Sequence, residues 1–159
     1  MIFIGIDAGL TGAVASISPG GALVFDIPTT KIGTRSDYNL GGMASMLATL
    51  TSGLVDCVVV LEHVQPMPKN GSIAAFSLGS GFGIWRGIIA SQGLRLELVR
   101  PQVWKKSMLE GRGKDKGVSL QRARELFPTL CDDLTRVKDH GRAEALLLAE
   151  YGRRRFAGE

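Results

Sequence analysis

Residues 55–61 form a nearly continuous β-branched run, with Val58-Val59-Val60-Leu61 at its end, and no other segment constrains the fold as tightly. A strand with one face in water alternates apolar with polar residues, whereas a run this uniformly apolar must be covered on both faces. The chain therefore needs a sheet with helices on each side. A second apolar run, residues 1–6, is followed by two more β-like stretches, 13–17 and 22–27. The turn signal Ser18-Pro19-Gly20-Gly21 separates those two, and the three stretches read as an antiparallel meander. Residues 28–38 read as loop.

Helical spacing appears at Leu40, Met43, Leu47 and Leu50, with Ser52-Gly53 as a stop, and again over 72–91 through Ile73, Phe76, Phe82, Trp85 and Ile89. A short strand over 95–99 leads into Pro101, which suits a first helical position. Further helices are expected over 117–127, stopped by Pro128, and over 141–155. The order β-β-β-α-β-α-β-α-α-α predicts an α/β fold. Its mixed five-stranded sheet joins an antiparallel meander of three strands to two parallel strands, and helices flank it. At 159 residues, one domain spanning 1–159 is expected.

Cys57 and Cys131 have neither zinc-like spacing nor a disulfide framework around them. No apolar run reaches the ~18 residues needed to span a bilayer, and the first residues lack the basic flank of a signal peptide. A cytoplasmic protein with no membrane partner is the expectation, including one encoded by a phage and acting in its host. Charge is unevenly spread. Residues 1–60 carry two basic side chains, Lys31 and Arg35, against four acidic ones, while 61–159 carry 17 basic against 11 acidic. The excess over 100–124 is an electrostatic footprint for a polyanion.

Two carboxylates stand where apolar runs end, Asp7 before a glycine-rich turn and Glu62 after Leu61. Charges in such places are costly unless something cationic meets them. If the two strands are neighbours, both emerge at one edge of the sheet. A third group lies in Asp139-His140-Gly141-Arg142-Ala143-Glu144. Asp139 and Glu144 are ~140° apart on a regular helix and converge only if Asp139 precedes the helix, whereas His140 and Glu144 share a face. Asp139 and His140 thus compete for a fourth place beside Asp7, Glu62 and Glu144. Such an oxygen-rich set suits Mg²⁺ or Mn²⁺, and two ions ~3.5–4 Å apart serve in-line phosphodiester hydrolysis. An acidic site beside a basic surface points to a metal-dependent nuclease.

The opening Ile4-Gly5-Ile6-Asp7-Ala8-Gly9, the strand-end Leu61-Glu62 and the closing Asp139-His140-Gly141-Arg142-Ala143-Glu144-Ala145-Leu146 resemble the RuvC-type Holliday junction resolvases of the RNase H-like superfamily. Met67-Pro68 and Arg142-Ala143-Glu144 look closest to the phage and plastid branch. The resemblance implies an RNase H-like fold and a crossover junction endodeoxyribonuclease. Such an enzyme nicks four-way DNA junctions symmetrically as a homodimer, with two Mg²⁺ per site and Mn²⁺ as a substitute. It implies Asp7, Glu62, Asp139 and Glu144 as catalytic and metal-binding residues, with His140 as the alternative to Asp139. Lys105, Lys106, Arg112, Lys114 and Lys116 would face DNA, and helix 72–91 would form the dimer seam.

Two departures from the bacterial pattern stand out. Gln65 occupies the place of an aromatic thought to wedge into the junction, leaving Phe76 as a substitute, and Gly141 occupies the place of a carboxylate or histidine. Two other classes compete. Asp7-Ala8-Gly9-Leu10-Thr11-Gly12 also resembles the phosphate loop of actin- and hexokinase-like ATPases, and a junction-binding protein without catalysis would carry the same basic surface.

Overall fold

The structure is a computed structural model that describes residues 1–51, 56–65, 71–113 and 116–158. Elements β1 (Ile2–Ile6), β2 (Ala13–Ser18) and β3 (Gly21–Asp26) form the expected antiparallel meander. Then come β4 (Thr29–Ile32), β5 (Arg35–Tyr38), α1 (Leu40–Thr51), β6 (Cys57–Glu62) and α2 (Ser72–Ser91). The chain continues through β7 (Arg95–Val99), α3 (Pro101–Leu109), α4 (Lys116–Leu126) and α5 (His140–Phe156). The main sheet has the order β3-β2-β1-β6-β7, with β6 parallel to both β1 and β7. The mixed five-stranded sheet read from the sequence is therefore present.

Alternation along the strands decides what each face meets. Ile4 and Ile6 of β1 and Val59 and Leu61 of β6 point to one face, where they pack with Met43 and Leu47 of α1 and Trp85 and Ile89 of α2. Phe3 of β1 and Val58 and Val60 of β6 point to the other, where Leu147 and Leu148 of α5 and Trp104 and Met108 of α3 cover them. Helix α5 lies directly on the strand backbones. A methyl on Gly5 would overlap the backbone of Ala145 and Ala149, and one on Gly152 would come within 2.6 Å of Val60 Cγ2.

Two expectations are corrected. Residues 28–38 are not a loop: β4 and β5 form an antiparallel hairpin paired from Thr29↔Tyr38 to Ile32↔Arg35, closed by Gly33 at φ 61°. A two-residue glycine link suits such a turn, but the strands are polar on both faces and exposed save Tyr38, so no apolar alternation marked them. Second, α2 is long and apolar enough to cross a membrane by length and composition, with a mean hydropathy of 1.3. Its scattered glycines and serines hid this from a search for unbroken apolar runs. Here α2 buries Gly81, Trp85 and Ile89 on the protein and leaves most of its surface open. Between α4 and α5 the chain runs through two 3₁₀ stretches, Pro128–Leu134 and Val137–Asp139, which the sequence reading had not assigned.

Candidate active site

Parallel pairing of β1 with β6 runs Gly5↔Val60 and Ile6↔Leu61, so the next residues, Asp7 and Glu62, leave the sheet side by side at one edge. Continuing the alternation from Gly5 and Val60 aims both carboxylates at the face that α5 covers. Glu144 sits on the first turns of α5, whose second residue, Gly141, is pressed against Asp7. A Cβ at position 141 would lie 3.1 Å from Asp7 Oδ2 and 2.9 Å from the Thr11 carbonyl. The small residues Gly5 and Gly141 thus bring the N-terminal end of α5, and Glu144 with it, onto the strand ends.

The electrostatics follow from that convergence. Burial first, then the negative charge of Glu144 and, more weakly, Glu62, push the Asp7 carboxyl from 3.8 up to about 6. The Gly9 N–H, 3.4 Å from Asp7 Oδ1, and the nearby His140 imidazole pull the other way. The Glu62 carboxyl is also raised, chiefly by burial and against the opposing pull of a hydrogen bond from Trp104 and the charge of Lys105. Trp104 is fully buried, and its indole Nε1 donates to Glu62 Oε2 at 2.6 Å. Its neighbour Lys105 places Nζ 3.2 Å from Glu144 Oε1 and 5.1 Å from the Trp104 ring centre. Helix α3 therefore supplies a donor to each glutamate. Among the described residues, no group of three His, Cys, Asp or Glu side chains stands close enough to hold a metal ion, and Glu62 and Glu144 each contact α3.

Asp139 does not join this group. It is 3% exposed, and its carboxylate accepts from Arg136 N, Nε and Nη2 at 2.8–3.2 Å. The guanidinium holds its carboxyl below the usual range. Asp139 thus has a cation of its own. His140 stays beside Asp7, with Nδ1 3.3 Å from the Val137 carbonyl.

The expected basic surface is thinner than the sequence suggested. Arg112 donates to both oxygens of Glu125, Arg122 pairs with Glu110 and Glu125, and Arg124 donates to the Leu134 carbonyl. These guanidiniums hold the α3–α4 region together. Lys106 is exposed, whereas Lys114 and the side chain of Lys116 lie outside the described residues. The tie between Trp104 and Glu62 was missed because residues 42 apart meet only through the sheet. The sequence hint was Trp104 standing next to a lysine.

Structural comparison decides the fold. The structure of RuvC from T. thermophilus in complex with a Holliday junction substrate superposes with a TM-score of 0.64, covering 97% of this chain and 95% of that one at 16% identity. A second T. thermophilus RuvC structure gives 0.58 over 97% and 96%, at 15% identity. The fold is that of RuvC. In sequence, 85 residues, 54% of the chain, are 35% identical to the chloroplastic Holliday junction resolvase MOC1 of Chlamydomonas reinhardtii. The matched segment is 10% of that protein's length, so the chain aligns with a small part of it. No family model matches the chain. In this chain β1 and β6 lie at the middle of the sheet against α5, which is where the three carboxylates stand.

Proposed function

We propose that the chain is a divalent-metal-dependent endonuclease that resolves four-way DNA junctions. The observation that carries this reading is the convergence of Asp7, Glu62 and Glu144 from β1, β6 and α5, with Asp7 buried among like charges at about 6. Three carboxylates with Lys105 as the one lysine paired to them among the described residues are a donor set for a hard cation. The substrate named for the Chlamydomonas resolvase and present in the T. thermophilus complex supports a four-way junction as the target.

On this reading Asp7, Glu62 and Glu144 hold Mg²⁺ or Mn²⁺, with His140 rather than Asp139 as the fourth group. When bound, a pair of such ions activates the attacking water and stabilises the leaving 3′ oxygen. Asp7, fixed by the Gly9 N–H and walled in by Gly141, sets the position of the centre. Trp104 holds one oxygen of Glu62 and leaves the other for a ligand. Lys105 sits at the rim and supplies positive charge where a phosphate enters; releasing Glu144 frees its ammonium for that contact. Lys106, with Lys114 and Lys116, extends this surface along the DNA backbone.

A homodimer would place two such sites on one junction, and α2 is its proposed seam. Gly79, Gly83 and Gly87 recur every four residues with open space beside each, so a second helix can approach closely there. Ile73 and Phe76 on the same helix are 79% and 78% exposed. The test is cleavage of a labelled four-way junction in Mg²⁺ by the wild-type chain and by Asp7→Asn. Paired nicks across the junction by the wild type, absent with the variant, are expected. Undiminished cutting by Asp7→Asn overturns the mechanism.

A further inference from the structure

Strand β7 ends the main sheet, and among the described residues no strand lies beyond it. The Val99 carbonyl accepts from His63 N at 2.8 Å, on the β6 side, so the backbone N–H and C=O groups of Leu96 and Leu98 point outward. A groove of about 440 Å³ runs beside this open edge. Val99 lines it from the strand, Val103 from α3, and Tyr151 and Phe156 from α5. Leu98 and Val103, which also line it, are 44% and 50% exposed. Arg100 follows Val99 at one end of the groove, and Arg155 stands at the other, its guanidinium 5.8 Å from the Phe156 ring centre. Both arginines are exposed, and neither guanidinium has an ion pair or hydrogen bond among the described residues. Glu97, the one carboxylate among the lining residues, is paired with Arg95 at 2.9 Å. The Arg95 guanidinium also covers the Phe156 ring, 4.8 Å from its centre. Soluble proteins guard such edges with proline or unpaired charge, whereas β7 has no proline and its two charges neutralise each other.

We propose that this edge docks an extended acidic segment of a partner protein, which pairs with β7 and lays its side chains in the groove. The outward groups of Leu96 and Leu98 supply the hydrogen-bond ladder, and the groove supplies the selectivity. Alternate side chains of a strand share a face, so positions i, i+2 and i+4 of the segment all meet the groove and span ~13 Å. The ends of β7, Arg95 and Val99, are the same four steps apart. Carboxylates at i and i+4 therefore reach Arg100 and Arg155, while an apolar side chain at i+2 enters between Val103 and Phe156. Charge complementarity decides the occupant: two uncommitted arginines flank an apolar floor whose own carboxylate is already neutralised. A nucleic acid strand carries a charge every ~3.4 Å and would leave several unmet over that floor. It also has nothing to pair with an open backbone edge. The proposal uses none of the carboxylates of the candidate active site and does not rest on the nuclease reading.

The test is fluorescence anisotropy with the full chain and a labelled nine-residue peptide. The peptide carries glutamate at its third and seventh positions, leucine at its fifth, and serine or threonine elsewhere. Saturable binding below about 1 mM, weakened by salt, is expected. Arg100→Glu/Arg155→Glu should weaken it about tenfold, and a peptide with lysines in place of both glutamates should bind that variant and not the wild type. Thermal melts of the variant should match those of the wild type, since both side chains lie on the surface. Two further peptides, N-methylated on alternate amides in opposite phase, should differ, one losing about tenfold in affinity and the other binding as before. Absence of binding at about 1 mM overturns the proposal, as does an affinity indifferent to the charge reversal or equal for the two methylated peptides. A four-way junction in Ca²⁺ that displaces the peptide from the wild type, and binds the double variant less tightly, gives the groove to DNA and overturns it too.

Discussion

Replacing Asp7 by asparagine should abolish cutting and stabilise the protein at the same time. The native carboxyl titrates at about 6 against 3.8 when unfolded, so the folded chain binds more protons between those values and loses stability as pH rises through that window. Two units at 1.36 kcal/mol each put the cost of ionised Asp7 at up to about 3 kcal/mol above pH 6, falling to about half of that at pH 5. Asparagine is nearly the same size, keeps an oxygen for the Gly9 N–H and carries no charge toward Glu144 or Glu62. For a chain of this length that gain is roughly 6–12 °C in melting temperature. The assay is thermal unfolding in EDTA from pH 5 to pH 8, with the wild type and variant compared at each pH. The gap should widen between pH 5 and about pH 7 and level off above that. Added Mg²⁺ should raise the melting temperature of the wild type far more than that of the variant, since a ligand stabilises only the state that binds it. A variant that melts with or below the wild type at pH 8 refutes the crowding of Asp7 by like charges.

Gly5→Ala should cost about 3 kcal/mol or more, because its methyl meets the backbone of Ala145 and Ala149, which cannot turn aside; denaturant melts measure it, and a loss below ~1 kcal/mol would show that α5 is not seated on β1. Trp104→Phe removes the donor to Glu62 and should raise the Mg²⁺ needed for half-maximal cleavage roughly tenfold, with the maximal rate changed much less. An unchanged Mg²⁺ dependence would leave Trp104 as packing alone. Gly83→Leu places a large side chain in the open space along α2 and should turn a dimer into a monomer in sedimentation without lowering the melting temperature of the protomer. A dimer that persists would move the seam elsewhere.

Much of the fold was legible because burial leaves periodic traces. The uniform run before Glu62 demanded a sheet covered on both faces, and β6 lies between β1 and β7 beneath α1, α2 and α5. Helix α2 and strand β7 fall where their spacing put them. The β4–β5 hairpin was illegible for the opposite reason, since it buries almost nothing beyond Tyr38. At the site, Asp7 and Glu62 could be read as neighbours from strand ends alone, whereas the pairing of Asp139 with Arg136 has no periodic trace. The pairings within the basic stretch were illegible for a similar reason. Composition counts Arg112, Arg122 and Arg124 as free charge, and the fold commits each of them to a carboxylate or a carbonyl.

The most direct measurement is the anomalous scattering of Mn²⁺ in crystals of the protein soaked with that ion. Density within ~2.2 Å of an Asp7 carboxylate oxygen, shared with Glu62 and Glu144, is the expected result. A second peak ~3.5–4 Å from the first would mark the pair of ions that hydrolysis needs. Mn²⁺ bound only on another surface, with Glu62 still on Trp104 and Glu144 still on Lys105, would contradict the account.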